Sequence, residues 1–294
     1  MNTRLAIPDL EAVSAKGGLT FAVALGGGGA RGLSHIQVIE ALDELGIRPV
    51  AISGSSIGAI IGAGMASGMT GREIRQYALE TVGHRGTLLN KLWGLGPATM
   101  RDKLGGFRFG QFNLELILDA FLPPQVPEDF DELVIPMKIS ATDYYGQAEV
   151  ILEQGELRTA IAASAAIPGL FMPVRVNGRV MIDGGVFNPV PYEQLMDVAD
   201  VVIGVDVVGA PEGDGTHAPN RIDSLFGASQ LTMQASIALK LKLNPPQIFL
   251  RPSVNRFRVL DFLKARDILD ESEHVKDELK RAIDALHAAA AANG

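Results

Sequence analysis

The stretch VAISGSSIGA, residues 50–59, carries the sharpest structural signal in the chain. Its first four residues, Val50–Ser53, favour a strand buried on both faces, and the run Ile57–Ser67 favours a helix. The pentapeptide between them, residues 54–58, fits G-x-S-x-G, in which a serine sits on a sharp strand-to-helix turn with its hydroxyl lifted clear of the backbone. The stretch therefore predicts an α/β fold and makes Ser56 a candidate nucleophile.

The glycines of this pentapeptide, Gly54 and Gly58, let the strand and the helix approach each other closely. A glycine-rich chain also produces the pattern by chance, and Ser56 would then be only the N-cap of a helix. Ser55 would be the nucleophile only if the turn were shifted by one residue, which the pattern does not support.

Strand-like and helix-like segments alternate on both sides of this stretch. The strand-like segments are Thr20–Leu25, Val50–Ser53, Val134–Ala141 and Val201–Val207. The helix-like segments are Gly32–Leu45, Ile57–Ser67, Arg72–Val82, Asn113–Phe121 and Leu157–Ala165. The alternation predicts a three-layer α/β/α fold with a mainly parallel central sheet. Val174–Asp183 differs, since Asn177-Gly178 between two short β-like runs predicts a hairpin with a type I′ turn.

No change in composition divides the chain into separate domains. We expect a catalytic core over residues 20–208 and a loop plus C-terminal helical segment over 209–294, packed on the same domain. Gly209–Asn220 is rich in Gly and Pro and predicts a surface loop. The apolar residues of the last segment recur at helical spacing and predict an amphipathic closing helix: Val275, Leu279, Ala282, Ile283 and Leu286.

A glycine-rich loop, Gly26–Gly32, follows the first predicted strand. Glycines at a strand-to-helix turn leave backbone N–H groups free to bind a phosphate or an oxyanion. We expect the amides of Gly27, Gly28 and Gly29, with that of Ile57, to serve as oxyanion donors. The loop also fits G-x-G-x-x-G, but no carboxylate ends the second strand as a dinucleotide site requires. A tight turn without any ligand is the plainer alternative.

The base that would activate Ser56 is harder to find. None of the histidines, His35, His84, His217, His274 and His287, lies where a Ser-His-Asp triad needs one. Three carboxylates, Asp143, Asp183 and Asp206, follow or end predicted strands, where the sites of α/β sheets gather. Position alone makes them nearly equivalent. Asp183 has an advantage because Gly184 and Gly185 permit close approach by another backbone or a substrate.

Three motifs in this order resemble those of the patatin-like phospholipases. They are GGGARG at 27–32, which includes Arg31 and Gly32, GSSIG at 54–58 and DGG at 183–185, and ASAAIPGL at 163–170 is similar to a further family stretch. The resemblance implies a Ser-Asp dyad without histidine, with Ser56 as nucleophile, Asp183 as base and the Gly27–Gly29 amides as oxyanion hole. It implies no metal or cofactor.

The resemblance further implies hydrolysis of a fatty-acyl ester, a phospholipid or a lysophospholipid, through an acyl-Ser56 intermediate. Family members often carry an apolar residue or glycine where this chain has Gln37, and we expect this difference to alter the pocket shape. Because an ordinary aspartate is a weak base, we expect Asp183 to be buried beside Ser56. Arg31 either contacts an anionic headgroup or makes a packing contact or salt bridge.

Composition restricts the partners. The formal net charge of −8 argues against nucleic acid, and the absence of cysteine excludes disulfides and thiolate metal sites. Residues 1–18 lack the apolar run of a signal peptide, and no run spans a bilayer, so a cytoplasmic protein is expected. Residues 83–113 hold five basic residues and one acidic residue among apolar ones such as Trp93. This insertion is either a lid that gives peripheral membrane contact or a helical element packed on the core.

Two other functions fit parts of this pattern. A non-catalytic protein could bind a phosphate or nucleotide through Gly26–Gly32, although no P-loop pattern is present. An inactive regulatory relative could retain the motifs as structure, but both Ser56 and Asp183 are in place.

Overall fold

The structure is a computed structural model that describes residues 18–82, 118, 122–213, 215, 216 and 218–293. The predicted insertion at 83–113 lies outside the described residues, as do His84, His217 and all of the predicted helix Asn113–Phe121 except Leu118.

A mixed sheet forms the centre of the molecule. Its strands are β1 (Phe21–Leu25), β2 (Ala51–Ser55), β3 (Met137–Asp143), β4 (Ala148–Leu152), β5 (Val174–Val176), β6 (Arg179–Ile182), β7 (Val201–Val205) and β8 (Ile248–Leu250). The strand order is β5-β6-β3-β2-β1-β7-β8, with β4 also paired to β3. The pairs from β3 through β2, β1 and β7 to β8 are parallel, and β4, β5 and β6 pair antiparallel.

Helices lie on both faces of this sheet. They are α1 (His35–Glu44), α2 (Ile57–Ala66), α3 (Gly71–Val82), α4 (Leu157–Ser164), α5 (Arg221–Leu243), α6 (Ala265–Glu271) and α7 (His274–Asn293). The predicted helix Gly32–Leu45 begins as a 3-10 turn, Gly29–Ser34, and becomes α-helical only at His35. The predicted strand Val50–Ser53 instead runs on to Ser55.

Alternate residues of β1 supply the two cores. Val23 and Leu25 face a large apolar cluster that includes the buried sides of α1, α2 and α7. Ala22 and Ala24 face a smaller cluster that contains Ile237 of α5. Because side chains alternate across a strand, this pattern puts one layer of helices on each face. The predicted three-layer α/β/α fold with a mainly parallel sheet is confirmed.

The segment beyond residue 208 belongs to the same sheet. β8 pairs with β7 in parallel register, with Ile203 opposite Ile248. Four of the five apolar residues predicted for the closing helix are fully buried on one side of α7, namely Val275, Leu279, Ile283 and Leu286. Ala282 packs against the same cluster.

The predicted hairpin is confirmed by β5 and β6, which pair antiparallel around Asn177 and Gly178. Both turn residues have positive φ, 49° and 79°, as a type I′ turn requires. The hairpin delivers Asp183 to the end of the sheet where β1 and β2 also end. Among the described helices, none combines the length and the apolar character needed to cross a membrane.

Candidate active site

Ser56 lies on a sharp turn between β2 and α2. Its backbone has φ 55° and ψ −122°, a region that a residue with a side chain rarely adopts. Such a conformation costs about 1–3 kcal/mol and persists only when its surroundings impose it. The flanking glycines are required sterically, because a Cβ at Gly54 would lie 2.8 Å from the Ala59 backbone and one at Gly58 2.0 Å from the Leu25 carbonyl oxygen.

A hydrogen-bonded chain holds this turn in place. The Ser56 N–H donates to Ser164 Oγ at 2.8 Å, and Ser164 Oγ donates to the Ser140 carbonyl at 2.6 Å. Ser164 is the last residue of α4 and is fully buried. It is a positioning residue that our sequence analysis missed, although it lies within the ASAAIPGL stretch quoted there.

Ser56 and Asp183 are hydrogen-bonded to each other. Ser56 Oγ donates to Asp183 Oδ2 at 2.6 Å, a short distance typical of a hydroxyl bonded to a carboxylate. The other carboxylate oxygen, Oδ1, accepts from the Gly185 N–H at 2.7 Å. The Asp183 backbone is fixed as well, because its carbonyl accepts from Thr142 Oγ1 at 2.9 Å.

Burial changes the acidity of Asp183. Desolvation in the closed site raises its pKa from 3.8 to about 6, and the hydrogen bonds from Ser56 and Gly185 only partly oppose this shift. Asp183 is therefore a stronger base than an exposed aspartate, yet it is mostly ionised at neutral pH. The expected burial of Asp183 beside Ser56 is confirmed.

The glycines after Asp183 allow the carboxylate to reach the serine. A Cβ on Gly184 would lie 2.0 Å from the Ser140 carbonyl oxygen, so no other residue fits there without a shift of the backbone. Gly185 is tight against the carboxylate itself, since its Cβ would lie 2.9 Å from Asp183 Oδ1.

The glycine-rich loop supplies amides next to Ser56, but not all the ones we predicted. The Gly27 N–H donates to the Pro189 carbonyl at 2.9 Å, so this amide is occupied and our assignment of Gly27 as an oxyanion donor is wrong. The sequence could not reveal this, because Pro189 is far away along the chain. In the part of the chain that the structure describes, the Gly28 and Gly29 amides have no backbone acceptor.

Ile57 is the other predicted donor. It is the first residue of α2, so its N–H has no partner within the helix and carries part of the positive end of the helix dipole. Ile57 and Gly29 both line the cavity that contains Ser56.

Backbone from two later segments packs against the same loop. A Cβ on Gly28 would lie 2.1 Å from the Val207 carbonyl oxygen, and one on Gly29, which has φ 61°, 2.3 Å from that of Val259. Ala30 N–H donates to the same Val259 carbonyl at 2.7 Å. Backbone from the end of β7 and from the C-terminal segment thus fixes the path of this loop, while among the described residues the Gly28 and Gly29 amides keep no backbone acceptor.

Arg31 ties the glycine-rich loop to two later segments of the chain. Its guanidinium is buried and donates to the backbone carbonyls of Val207, Val208 and Phe257 at 3.0, 2.5 and 2.8 Å. Desolvation lowers its pKa to about 10, so it stays charged at neutral pH. Of our two interpretations of Arg31, the structure shows the packing contact; the headgroup contact stays a prediction, because Arg31 also lines a cavity beside Ser56. Gly32, next to it, abuts Ile57, since a Cβ there would lie 2.3 Å from the Ile57 side chain.

The rival carboxylates have other partners. Asp206 is buried and pairs with Arg251 at 2.8 Å. Asp143 accepts from the Gly146 N–H at 2.8 Å. Among the described residues, Ser55 Oγ is buried without a hydrogen-bond partner and does not contact Asp183 through a hydrogen bond.

The described histidines take no part in the dyad. His35 is fully buried, and burial lowers its pKa to about 4, so the ring is neutral. Its Nε2–H donates to the Gly26 carbonyl at 2.8 Å, which leaves Nδ1 without a proton. His274 bonds to the Glu271 carbonyl, and His287 lies beside the Phe21 ring.

Gln37 does not shape the pocket, contrary to our expectation. Its Nε2–H donates to the Leu269 carbonyl at 2.6 Å, and its Oε1 accepts from Arg75 at 3.0 Å. It thus ties α1 to α6 and α3, and it does not line the cavities beside Ser56.

Two cavities meet at Ser56. The larger, which we call the apolar cavity, has a volume of about 390 Å³ and runs between α2 and α3, where Ile61, Ile74 and Ala78 line it. The smaller, which we call the second cavity, has a volume of about 180 Å³ and holds Asp183 and the α5 side chains Ser229 and Met233. Gly29, Ser56, Ile167 and Val259 line both.

The arrangement can therefore carry out acyl transfer. It provides a hydroxyl bonded to a buried carboxylate, free amides nearby and an apolar cavity that starts at the hydroxyl. Across the described residues, no group of three His, Asp or Glu side chains could hold a metal ion.

The sequence matches a known family. The family model for patatin-like phospholipase covers residues 23–196, which include every motif of the site. An uncharacterized NTE family protein of Mycobacterium tuberculosis is 38% identical over 201 residues, 68% of this chain and 52% of the relative. Lysophospholipase NTE1 of Yarrowia lipolytica is 30% identical over 286 residues, 85% of this chain and 19% of the relative.

The chain thus spans about half the length of the mycobacterial relative and about a fifth of the yeast one. Among solved structures, human GIVD cytosolic phospholipase A2 in complex with methyl gamma-linolenyl fluorophosphonate aligns with a TM-score of 0.44 and 13% identity. That alignment covers 91% of this chain and 59% of that chain.

Proposed function

The chain belongs to the patatin-like phospholipase family, and from this premise we propose that it is a serine acyl hydrolase acting on fatty-acyl esters of phospholipids or lysophospholipids. The observation that carries the proposal is the 2.6 Å hydrogen bond from Ser56 Oγ to Asp183 Oδ2 at the mouth of the apolar cavity. No other described carboxylate is bonded to Ser56 Oγ.

In the first half-reaction Asp183 Oδ2 takes the proton of Ser56 Oγ as the oxygen attacks the ester carbonyl carbon. The carbonyl oxygen becomes an oxyanion, and the N–H groups of Gly28, Gly29 and Ile57 donate to it. Loss of one such donor costs about 3–4 kcal/mol of transition-state stabilisation in a serine hydrolase. When the intermediate collapses, the bond to the leaving alcohol breaks and Asp183 returns the proton to the alcohol oxygen.

In the second half-reaction water attacks the acyl-Ser56 ester. Asp183 accepts a proton from the water, and the new oxyanion uses the same amides. Collapse breaks the bond to Ser56 Oγ, which regains a proton from Asp183, and the fatty acid leaves. A dyad suffices because the same carboxylate receives and returns each proton, and its raised pKa of about 6 suits both tasks.

The two cavities suggest how a substrate lies in the site. The apolar cavity suits the acyl chain, because each methylene that leaves water gains about 0.8 kcal/mol. The second cavity suits the alcohol part of the ester, because it contains Asp183, which must protonate the leaving oxygen, and the hydroxyl of Ser229.

Labelling with a fluorescent long-chain alkyl fluorophosphonate tests the proposal. We expect the wild type to be labelled on Ser56, Ser56→Ala to remain unlabelled, and Asp183→Asn to react at least about a hundredfold more slowly. Ser55→Ala is the matched control, because Ser55 would be the nucleophile if the turn were shifted by one residue. This variant should still be labelled.

Turnover is read separately, as release of fatty acid from a lysophospholipid by wild type and by Ser56→Ala. Labelling of Ser56→Ala at the wild-type rate, or equal turnover by the two proteins, would contradict the proposal. The predicted membrane contact through residues 83–113 is not part of this experiment and stays a prediction.

A further inference from the structure

Large apolar side chains are exposed around the opening of the site. Five of them, between 42% and 63% exposed, come from three separate segments: Val186, Phe187, Leu225, Leu260 and Leu263. Val186 and Leu225 line the second cavity, and Leu260 lines the apolar cavity. Exposed apolar side chains therefore border both of the cavities that contain Ser56.

Helix α5 extends this surface. Residues 224–239 contain no charged side chain, and Leu225, Leu231 and Leu239 on its outer side are each more than half exposed. The inner side is apolar as well, because Ile237 lies in the second core and Met233 lines the second cavity. The outer side of α5 thus exposes three leucines, with only small uncharged polar residues such as Ser224 and Thr232 between them.

The two glutamines of α5 face the protein, whereas long polar side chains of an ordinary surface helix face solvent. Gln230 Nε2–H donates to the Val208 carbonyl at 3.0 Å, and Gln234 bonds to Asp206 at 3.2 Å. The amides thus face the protein and the leucines face outward. Packing inside this chain explains the glutamines but leaves the leucines unexplained.

The charges near this surface neutralise one another. Arg258 pairs with Asp223 at 3.5 Å, Lys264 with Asp261 at 2.8 Å, and Arg256 with Glu271. The whole chain carries a formal net charge of −8. Attraction to an anionic surface therefore contributes little to binding. The partner that fits has an uncharged surface and an apolar interior.

We propose that the docking face, defined as Phe187, Leu225, Leu231, Leu239, Leu260 and Leu263, inserts into a lipid–water interface. Groups of large exposed apolar side chains mark membrane or protein contacts. A lipid surface fits better than a second copy of the chain, because the face continues into both cavities at Ser56. An acyl chain can then pass from the lipid to the apolar cavity without crossing water. This inference rests on the proposed function, which supplies the acyl substrate.

Flotation with vesicles tests this inference, with Ser56→Ala as background so that no lipid is consumed. We expect binding to vesicles of phosphatidylcholine alone, changed less than about threefold by adding phosphatidylserine or by raising NaCl from 0.1 to 0.5 M. Salt weakens attraction between charges but not apolar insertion. Adding Leu231→Asp and Leu263→Asp should lower the partition coefficient at least tenfold, about 1.4 kcal/mol, because two inserted leucines are lost.

The matched control is Val198→Asp, which changes an exposed apolar residue in the loop before β7, at the far end of the sheet from the site. It should bind vesicles like the parent protein. Circular dichroism melts check that all variants fold. Reactivity is measured in proteins that retain Ser56. There, the variant with both Leu231→Asp and Leu263→Asp should react with a short-chain fluorophosphonate within about twofold of wild type.

Several results would overturn the inference. They are absence of vesicle binding, equal binding by the double-aspartate variant, and binding that requires anionic lipid. A dimer in light scattering that the double-aspartate variant converts to a monomer, without vesicle binding, would assign the face to a second copy. Because vesicle binding is measured without turnover, failure of the proposed function would appear only in the labelling and turnover experiments.

Discussion

The strained backbone of Ser56 lowers the stability of the fold at a position where the proposed chemistry requires that conformation. The positive φ of Ser56 lifts its hydroxyl toward Asp183, and the buried Ser164 hydroxyl fixes the Ser56 amide from behind. Asp183 carries a second cost, since a carboxylate in a dry site is less stable than one in water. Both costs fall on the two residues that would form the dyad, as expected where function conflicts with stability.

Asp183→Asn tests this conflict through stability. Burial raises the pKa of Asp183 from 3.8 to about 6, so folding favours the protonated form. That contribution to stability is fully present below pH 3.8 and is lost as the pH rises through about 6. At pH 8 we expect Asp183→Asn to raise the free energy of unfolding by about 1–3 kcal/mol, because the amide carries no charge.

Thermal melts of both proteins between pH 4 and 8 measure this difference, which should shrink toward pH 4. Wild-type labelling by the fluorophosphonate should rise with pH up to about 6 and then level off, because only the ionised carboxylate acts as base. Asp143→Asn serves as the control and should leave that midpoint unchanged. A wild-type profile that is flat from pH 4 to 8 would contradict the assigned role of Asp183.

Sequence patterns locate residues better than they describe the groups those residues contact. Ser56 and Asp183 stand out because their motifs fix local geometry, namely a sharp turn and two glycines. The roles expected of Gly27 and Gln37 were wrong for a common reason. Their partners, such as the Pro189 carbonyl for Gly27 and the Leu269 carbonyl for Gln37, lie far along the chain. Whether an amide or a guanidinium is free depends on tertiary contacts that no local pattern encodes.

At the scale of elements, the apolar cavity lies between α2 and α3, and α3 also has a side that faces solvent. The inner sides of both helices line the apolar cavity, whereas the outer side of α3 is polar and includes Gln76, which bonds to Glu80. The space between these helices thus limits the length of acyl chain that can be bound in one piece.

Ala78→Leu on α3 tests this use of the cavity. The larger side chain would occupy part of the 390 Å³ that we assign to the acyl chain. We expect kcat/KM for long-chain esters to fall about tenfold or more, since two displaced methylenes correspond to about 1.6 kcal/mol. Short-chain esters should be hydrolysed nearly as well as by wild type.

Gln76→Leu, which adds a leucine on the exposed side of the same helix, controls for general effects on α3. A chain-length series of p-nitrophenyl esters provides the measurement. An equal loss at every chain length in Ala78→Leu would contradict the assignment of the cavity to the acyl chain.

The elements that sequence analysis missed share weak periodicity. β8 has only three residues, and most side chains of β4 are partly exposed. Neither strand therefore gives a long run of buried residues. α5 is the largest omission, because apolar residues on all its sides remove the 3.6-residue pattern by which surface helices are identified. By contrast, β1 and β7 are continuous runs of apolar residues and glycine, because both of their faces are covered.

Viewed as a whole molecule, the site depends on segments from both halves of the chain. The glycine loop after β1 contacts Val207 and Val259, and Arg31 bonds to Phe257. Residues beyond 208 also add β8 to the sheet and α7 to the larger core. The division into a core at 20–208 and a following segment therefore describes the motif content better than it describes how the fold is held together.

Leu279→Ala on α7 tests this dependence. Leu279 is fully buried in the same apolar cluster as Leu25 and Ile57, so the cavity left by its truncation should cost about 2–5 kcal/mol. We expect one unfolding transition at a lower temperature, with fluorophosphonate reactivity lost in that same transition.

Lys280→Ala on the exposed side of α7 removes an ion pair to Glu44 and is the control, with an expected change within about 1 kcal/mol. Circular dichroism and labelling at each temperature give the two curves. Reactivity that survives after the helix has melted would contradict a single cooperative unit.

The closure of the glycine loop by Val259 has a consequence during synthesis. Ala30 and Arg31 bind backbone 226 to 229 residues further on, at Phe257 and Val259. A growing chain that has passed Asp183 already contains both Ser56 and Asp183. The glycine-rich loop, however, lacks the backbone contacts at Phe257 and Val259 until that distant segment emerges from the ribosome. We therefore expect the complete site to form only late in translation.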